Sequence, residues 1–248
     1  MNRQFKRFVY KQAVYNINQT ACDAVVRQIP LLWMEIEKHI GKYPKFLSSL
    51  SPLEIPPDAP STAKLMYKAA KACGVGPMAG VAGTFAHQSV INSGLAESEE
   101  VIVENGGDIY LRITAPLVLG VYAGKSAIGG KIAFEILPEE TPLAICSSSG
   151  KMGHSTSFGN CDLACVVSKD TALADCAATA AANMVKNEKD ISRALDWAMG
   201  IPAVRGVMII LDDKIGTAGR LPRIVSAENA DIVKNISLHP GFVRDGIL

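Results

Sequence analysis

The chain has 248 residues, 48% hydrophobic and 20% charged, which is ordinary globular usage and excludes a disordered, collagen-like or coiled-coil protein. With 25 Lys and Arg against 24 Asp and Glu the formal net charge is +1, so no field exists to hold a polyanion and nucleic acid is not an expected partner. No run of about 18 apolar residues occurs, and the basic start Met1 to Arg7 leads into no apolar signal region, so a cytoplasmic protein with no membrane partner is expected.

Phe5 to Val9 and Ala13 to Ile17 read as two short strands. Val25, Val26, Ile29, Leu32, Trp33, Ile36 and Ile40 then recur at spacings of three and four, the apolar face of one helix that Pro30 should kink. Four prolines between Ser51 and Pro60 mark a break near residue 55. A second helix is predicted from Ser61-Thr62 to Cys73 with Gly74 as its stop. A third starts at Gly76-Pro77, burying Met78, Val81, Ala82, Phe85 and Ser89, with small residues that allow close packing.

From Glu99 the pattern changes to β-rich runs, predicted as a meander of antiparallel strands: 101–104, 109–113, 117–122, 128–136 and 143–146. A strand over 162–168, an Ala-rich helix over 170–184, a helix over 189–199 and a buried strand over 204–211 follow. Helices and strands segregate instead of alternating, so an α+β fold is expected.

Four segments carry candidate chemistry. Gly74 to Gly80 lacks the preceding strand that a dinucleotide fingerprint needs, but the Pro77 helix can present free N–H groups to an anion; a plain helix linker is the alternative. Asn105-Gly106-Gly107-Asp108 supplies the positive φ angles of a tight hairpin, and the same glycines let a ligand lie against the backbone beside two polar side chains. Cys146 to Gly159 is a loop rich in hydroxyls and glycine, in which Ser147, Ser148, Ser149, Gly150, Lys151 and His154 offer the donors and the cation that a phosphate needs; a solvated Ser-rich linker is the alternative. Asp175 and Thr179 stand one helical turn apart, two hard oxygen donors suited to a Mg²⁺ that keeps waters; a solvated Asp and a Thr bonded to its own helix is the alternative.

The six cysteines lack Cys-x-x-Cys spacing. Cys161 and Cys165, four apart on a predicted strand, should share a face with Cys146 and Cys176 nearby, as buried small hydrophobes in preference to a metal or iron–sulfur site. No Gly-x-Ser-x-Gly elbow supports a serine hydrolase.

In order, these segments resemble the ApbE superfamily of flavin-handling proteins over residues 75 to 215. Asn105-Gly-Gly-Asp108-Ile109 resembles its Asn-x-Gly-Gly-Asp-Ile turn, Ser147-Ser-Ser-Gly150 with His154 its Thr-Ser-Gly loop and histidine, and Ala174-Asp175-Cys-Ala-Ala-Thr179-Ala180 its Ala-Asp-Ala-x-Ala-Thr-Ala helix. The resemblance implies a T-fold-related antiparallel sheet with packed helices, FAD or FMN contacted by the turn and the loop, and Mg²⁺ on Asp175 and Thr179. Two family features are missing: the Asp-Pro pair after the histidine, and the Lys-Gly-x-x-x-Asp helix, which is replaced by Met78 to His87. These departures, with no lipoprotein signal, resemble the cytoplasmic branch of archaea and anaerobic bacteria, which has been linked to homocysteine formation and sulfide assimilation.

The expectation is therefore a single domain over 1–248, with N-terminal strands and helix over 1–55 and a motif-bearing core over 61–220. It binds a flavin nucleotide or other small phosphorylated ligand with Mg²⁺, with His154 and Lys151 as catalytic groups and FMN transfer to an acceptor protein as the reaction. An accessory enzyme of sulfur assimilation and a non-catalytic flavin carrier are the alternatives, and a homo-oligomer is a further expectation.

Overall fold

The structure, a computed structural model, describes residues 3–124, 126–151 and 159–227. Strands β1 (Phe5–Tyr10) and β2 (Ala13–Asn18) form the opening hairpin, followed by α1 (Gln19–Val26), α2 (Ile29–Lys42) and α3 (Lys45–Ser48). The kinked helix expected here is two helices. Pro30 lies in the first turn of α2, where its missing N–H would have had no partner anyway, so it starts a helix instead of bending one.

Helix α4 (Ser61–Cys73) ends at Gly74, which takes the left-handed cap conformation with φ 71°. A 3-10 turn over Pro77–Gly80 runs into α5 (Val81–Ile91). His39 of α2 and Tyr67 of α4 share a buried hydrogen bond of 3.0 Å under Phe46, which ties the N-terminal helices together.

The remaining elements are β3 (Val101–Asn105), β4 (Asp108–Arg112), β5 (Leu117–Gly120), β6 (Ile132–Ile136), β7 (Leu143–Ser148), β8 (Leu163–Ser168), α6 (Thr171–Met184), α7 (Asp190–Met199), β9 (Val204–Leu211), β10 (Lys214–Gly219) and β11 (Arg223–Ser226). Eight strands form one antiparallel sheet in the order β1-β2-β3-β4-β7-β8-β9-β10. The other three form a second sheet, β11-β6-β5. The expected meander is thus interrupted: β5 and β6 leave the main sheet, and β4 pairs directly with β7 through Tyr110 and Ala144. The strand expected from Ile128 begins only at Ile132, because Lys131 N–H bonds Ile128 O in a turn and Gly130 has φ 74°.

Period-two alternation places the large sheet between two layers. Ala144, Cys146, Ala164, Val166, Val207 and Ile209 face the helices, while Ile109, Leu111, Ile145, Val167 and Ile210 face the small sheet through Phe134 and Ile136. Helix α6 lies across β7 and β8 and is flanked by α4, α5 and α7. Contact on so many sides leaves room only for small side chains: Ala174, Ala177, Ala178 and Ala181 are fully buried. The loop after β7 is pinched at its neck, since a Cβ on Gly150 would lie 2.1 Å from Gly159 O and one on Gly159 only 1.9 Å from Ala182 O.

Replacing Gly159 with Ala should therefore push the loop neck off the end of α6 and destabilise the protein by about 2 kcal/mol or more, read as a lowered midpoint in chemical denaturation. An unchanged midpoint would mean that the neck does not bear on α6.

Candidate functional site

The hairpin joining β3 to β4 has φ 65° at Gly106 and 100° at Gly107, the two positive values that a tight two-residue turn requires. Glu104 accepts the Gly107 N–H at 2.9 Å and so closes the turn with its own side chain. Asn105 reaches out of the hairpin and donates to Ala82 O at 3.1 Å, joining the turn to the first turn of α5.

The start of α5 would otherwise leave N–H groups without partners. Gly83 donates instead to Asp175 Oδ2 on α6, at 2.8 Å, and the Ala82 N–H also supports that carboxylate. The sequence reading of a helix from Pro77 offering free N–H groups to an anion changes here: Pro77–Gly80 is a 3-10 turn, and the amides at the start of α5 are taken by the carboxylate of the neighbouring helix. Two glycines make the approach possible. A Cβ on Gly83 would lie 2.6 Å from Thr171 O and 2.9 Å from Asp175 Cβ, and one on Gly80 2.8 Å from Cys176 Sγ.

Strand β7 supplies the third side. The Cys146 thiol donates to Thr171 O at 3.6 Å and also touches Asp108, which the Ser147 N–H bonds as well. Asn105, Gly106, Gly107, Asp108, Ser147 and Asp175 therefore come together, with Thr179 half-buried one turn further along α6. Ser148 follows on the same strand. Ser149 and Gly150 instead form the loop neck, both bonded to Cys161 O. Lys151 turns toward the β9–β10 hairpin and forms 3.0 Å ion pairs with Asp162 and Asp212. There it lines a shallow depression of about 430 Å³ with Lys186, Asp213 and Lys214. His154 lies outside the described residues.

Asp108 and Asp175 are 5% and 7% exposed, so the alternative of a solvated Asp175 does not hold. Burial pushes the Asp175 carboxyl up to about 7 against the pull of the Gly83 and Ala82 N–H groups. Burial, and then the charge of Asp175, raise Asp108 well above the usual carboxylate range, partly offset by the Cys146 thiol and the Ser147 N–H. The two titrate as a unit. Asp108 Oδ1 and Thr171 Oγ1 are both buried without a hydrogen-bond partner.

This donor set is carboxylate and hydroxyl oxygen, which suits a hard cation such as Mg²⁺. Among the described residues no three His, Cys, Asp or Glu converge as metal ligands, so such an ion would keep waters or take phosphate oxygens.

All six cysteines are free and buried. Cys161 and Cys165 do not share a face: β8 starts only at Leu163, so the period-two rule does not reach back to Cys161, which packs on the helix side while Cys165 faces the small sheet. Burial pushes the thiols of Cys73, Cys161 and Cys165 up to about 12, and those of Cys146 and Cys176 well up.

Sequence reasoning missed Thr171 and the roles of Gly80 and Gly83. The three-residue glycine spacing in the Met78 to His87 segment is the signal that could have found the close helix contact.

With this geometry in view, the fold is that of the ApbE flavin transferases. A point mutant of flavin transferase ApbE from Vibrio cholerae superposes with a TM-score of 0.54 at 14% identity, covering 95% of this chain and 100% of that one. The apo flavinyl transferase ApbE of Pseudomonas stutzeri gives 0.54 at 12% identity, covering 87% and 94%. The family model described as "AbpE bacteria" matches residues 14–200, and the chain belongs to this ApbE-like family. It is also 41% identical over 229 residues to a UPF0280 protein of Methanocella arvoryzae, covering 89% of this chain and 93% of that protein. A UPF0280 protein of Methanocaldococcus jannaschii is 38% identical over 200 residues, covering 79% and 81%. Among the described residues no helix is long and apolar enough to cross a membrane.

The raised Asp175 pKa carries a stability prediction. Its folded value near 7 exceeds the unfolded value of about 4, so the stability it contributes is full below pH 4 and is lost as pH rises through 7. In chelator, unfolding titrations at pH 6 and pH 8.5 should show the wild type losing about 1.4 kcal/mol more than Asp175→Asn over that interval. Parallel losses in the two proteins would mean that Asp175 ionises normally.

Proposed function

We propose that the chain binds a flavin nucleotide with Mg²⁺ in the cleft between the 105–108 turn, the loop after β7 and the Asp175 face of α6, and that it transfers FMN from FAD to an acceptor protein. The observation that carries this reading is the buried Asp108–Asp175 pair, set between the hairpin turn and the start of α5 in an ApbE-like fold. In this reading Asp175 and Thr179 hold the Mg²⁺, which when bound offsets charge on the pyrophosphate. The Gly106-Gly107 backbone leaves space for the nucleotide, since a Cβ on Gly106 would meet nothing within 4 Å and one on Gly107 only Ser147, at 3.9 Å. Asn105 holds the turn against α5 and Ser148 offers a hydroxyl donor, whereas the Ser147 hydroxyl bonds Cys165 on the face toward the small sheet.

Transfer forms a P–O bond between the FMN phosphorus and an acceptor hydroxyl. It breaks the pyrophosphate bond to release AMP, and the hydroxyl proton passes to a base, the role assigned to His154. Lys151 has a supporting place: its ion pairs hold the loop neck against the β9–β10 hairpin.

The sulfur-assimilation reading needs a reactive thiol, and burial keeps every cysteine protonated. Native protein at pH 8 should resist alkylation at all six cysteines and react at six once unfolded. Fast native labelling of Cys146 or Cys161 would favour the sulfur reading instead.

The test of the flavin reading is an absorption spectrum of freshly purified protein followed by FAD titration with and without Mg²⁺. FAD binding should depend on Mg²⁺ and weaken more than about tenfold in Asp175→Ala and in Thr179→Ala, the second variant sparing the α5 cap. Flavin appearing covalently on a threonine-bearing acceptor would establish transfer, and bound FAD without turnover a carrier. A colourless protein indifferent to FAD would overturn the proposal.

A further inference from the structure

We propose that Asp108 is a second carboxylate facing the cation, so that the site takes up a divalent ion before any nucleotide arrives. The inference rests on the reading of the Asp175 face as a cation site and deepens it.

Asp108 opens β4 at the end of the hairpin turn, and its Oδ1 is buried with no partner. Its other contacts, the Ser147 N–H and the Cys146 thiol, come from β7. The Cys146 thiol that contacts Asp108 also lies 3.6 Å from Thr171 O, one turn before Asp175 on α6, and Asp175 itself accepts from the Gly83 and Ala82 N–H groups. One turn before Asp175, on the same face of α6, Thr171 Oγ1 is likewise buried and unpartnered. Two orphaned oxygens thus border a pair of buried carboxylates. Leaving one buried polar atom unsatisfied carries a penalty, and buried carboxylates are ordinarily paired with a positive charge.

The chain offers no such charge among the described residues. Lys151 is held by Asp162 and Asp212, and no Lys or Arg bonds Asp108 or Asp175. Glu104, the other nearby carboxylate, is occupied by the Gly107 N–H and the Asn16 amide. Asp108 is therefore the carboxylate left open. A small divalent cation neutralises the pair, gives the open oxygen a partner, and completes its shell with water until phosphate oxygens replace it.

The experiment uses Mn²⁺ as a spin probe, following the free-ion resonance as it is added to chelator-stripped full-length protein at pH 7.5 without nucleotide. The wild type should bind about one Mn²⁺ per chain, displaceable by Mg²⁺. Asp108→Asn, nearly isosteric, should weaken this more than about tenfold, as should Asp175→Asn, while the exposed-turn variant Asp213→Asn stays within about twofold. Thermal melting in chelator shows whether each variant is folded. Wild-type Mn²⁺ affinity in folded Asp108→Asn, with loss in Asp175→Asn, would overturn the inference. So would a wild type that binds no Mn²⁺ at millimolar concentration. The flavin reading fails separately: Mn²⁺ uptake lost in Asp108→Asn but no FAD binding would leave this inference standing without it.

Discussion

The close approach of α5 to α6 is the contact on which the candidate site depends. Gly80 and Gly83 leave no side chain between the helices, and the α5 amides reach the Asp175 carboxylate directly. That bond satisfies N–H groups that a helix start must otherwise give to water or to a capping side chain of its own. It also fixes Ala82, whose carbonyl receives Asn105 from the hairpin turn. Three elements far apart in the chain are registered against one another by two hydrogen bonds, and both pass through the first turn of α5.

The same constraint explains the composition of α6. A helix that touches the sheet, α4, α5 and α7 together can carry little volume, which is why its packing positions are alanine. Alanine also has the highest helix propensity, so this helix needs no large side chains to form. Thr171, Asp175, Thr179 and Asn183 then stand out as one polar row at four-residue spacing along an otherwise apolar cylinder. Burying a carboxylate in that row is costly unless it is bonded or neutralised, and the Gly83 and Ala82 N–H groups supply that bonding.

Much of this was legible in the sequence. The left-handed stop at Gly74, the two-glycine hairpin and the bounds of α4, with those of α6 and β4 to within one residue, follow from local chemistry. Pro30 was misread because a proline inside an apolar repeat looks the same whether it bends one helix or begins another; Arg27 and Gln28 carry no stop signal. Strands β10 and β11 were missed, since Lys214 to Gly219 is polar at a sheet edge and Arg223 to Ser226 pairs only with β6. The departure of β5 and β6 into a second sheet is decided by which strand β4 prefers at distance, and no local pattern encodes that. Within the site, the turn and the Asp175–Thr179 spacing were visible, whereas the Asp175 bond to Gly83 spans 92 positions and could not be.

The departure at Met78 to His87 takes on a physical meaning in this light. The ApbE resemblance places a Lys-Gly helix at this point, and this chain has Met78-Ala79-Gly80-Val81-Ala82-Gly83 instead. In this chain the segment carries no lysine and brings backbone amides to the Asp175 carboxylate. Amides orient a carboxylate without neutralising it, since each N–H carries only a partial charge. Asp175 is thus held in one rotational position, yet stays near neutral pH in its titration, with Asp108 raised beside it. A site built this way is pre-formed in shape, with both of its carboxylates held toward the neutral form.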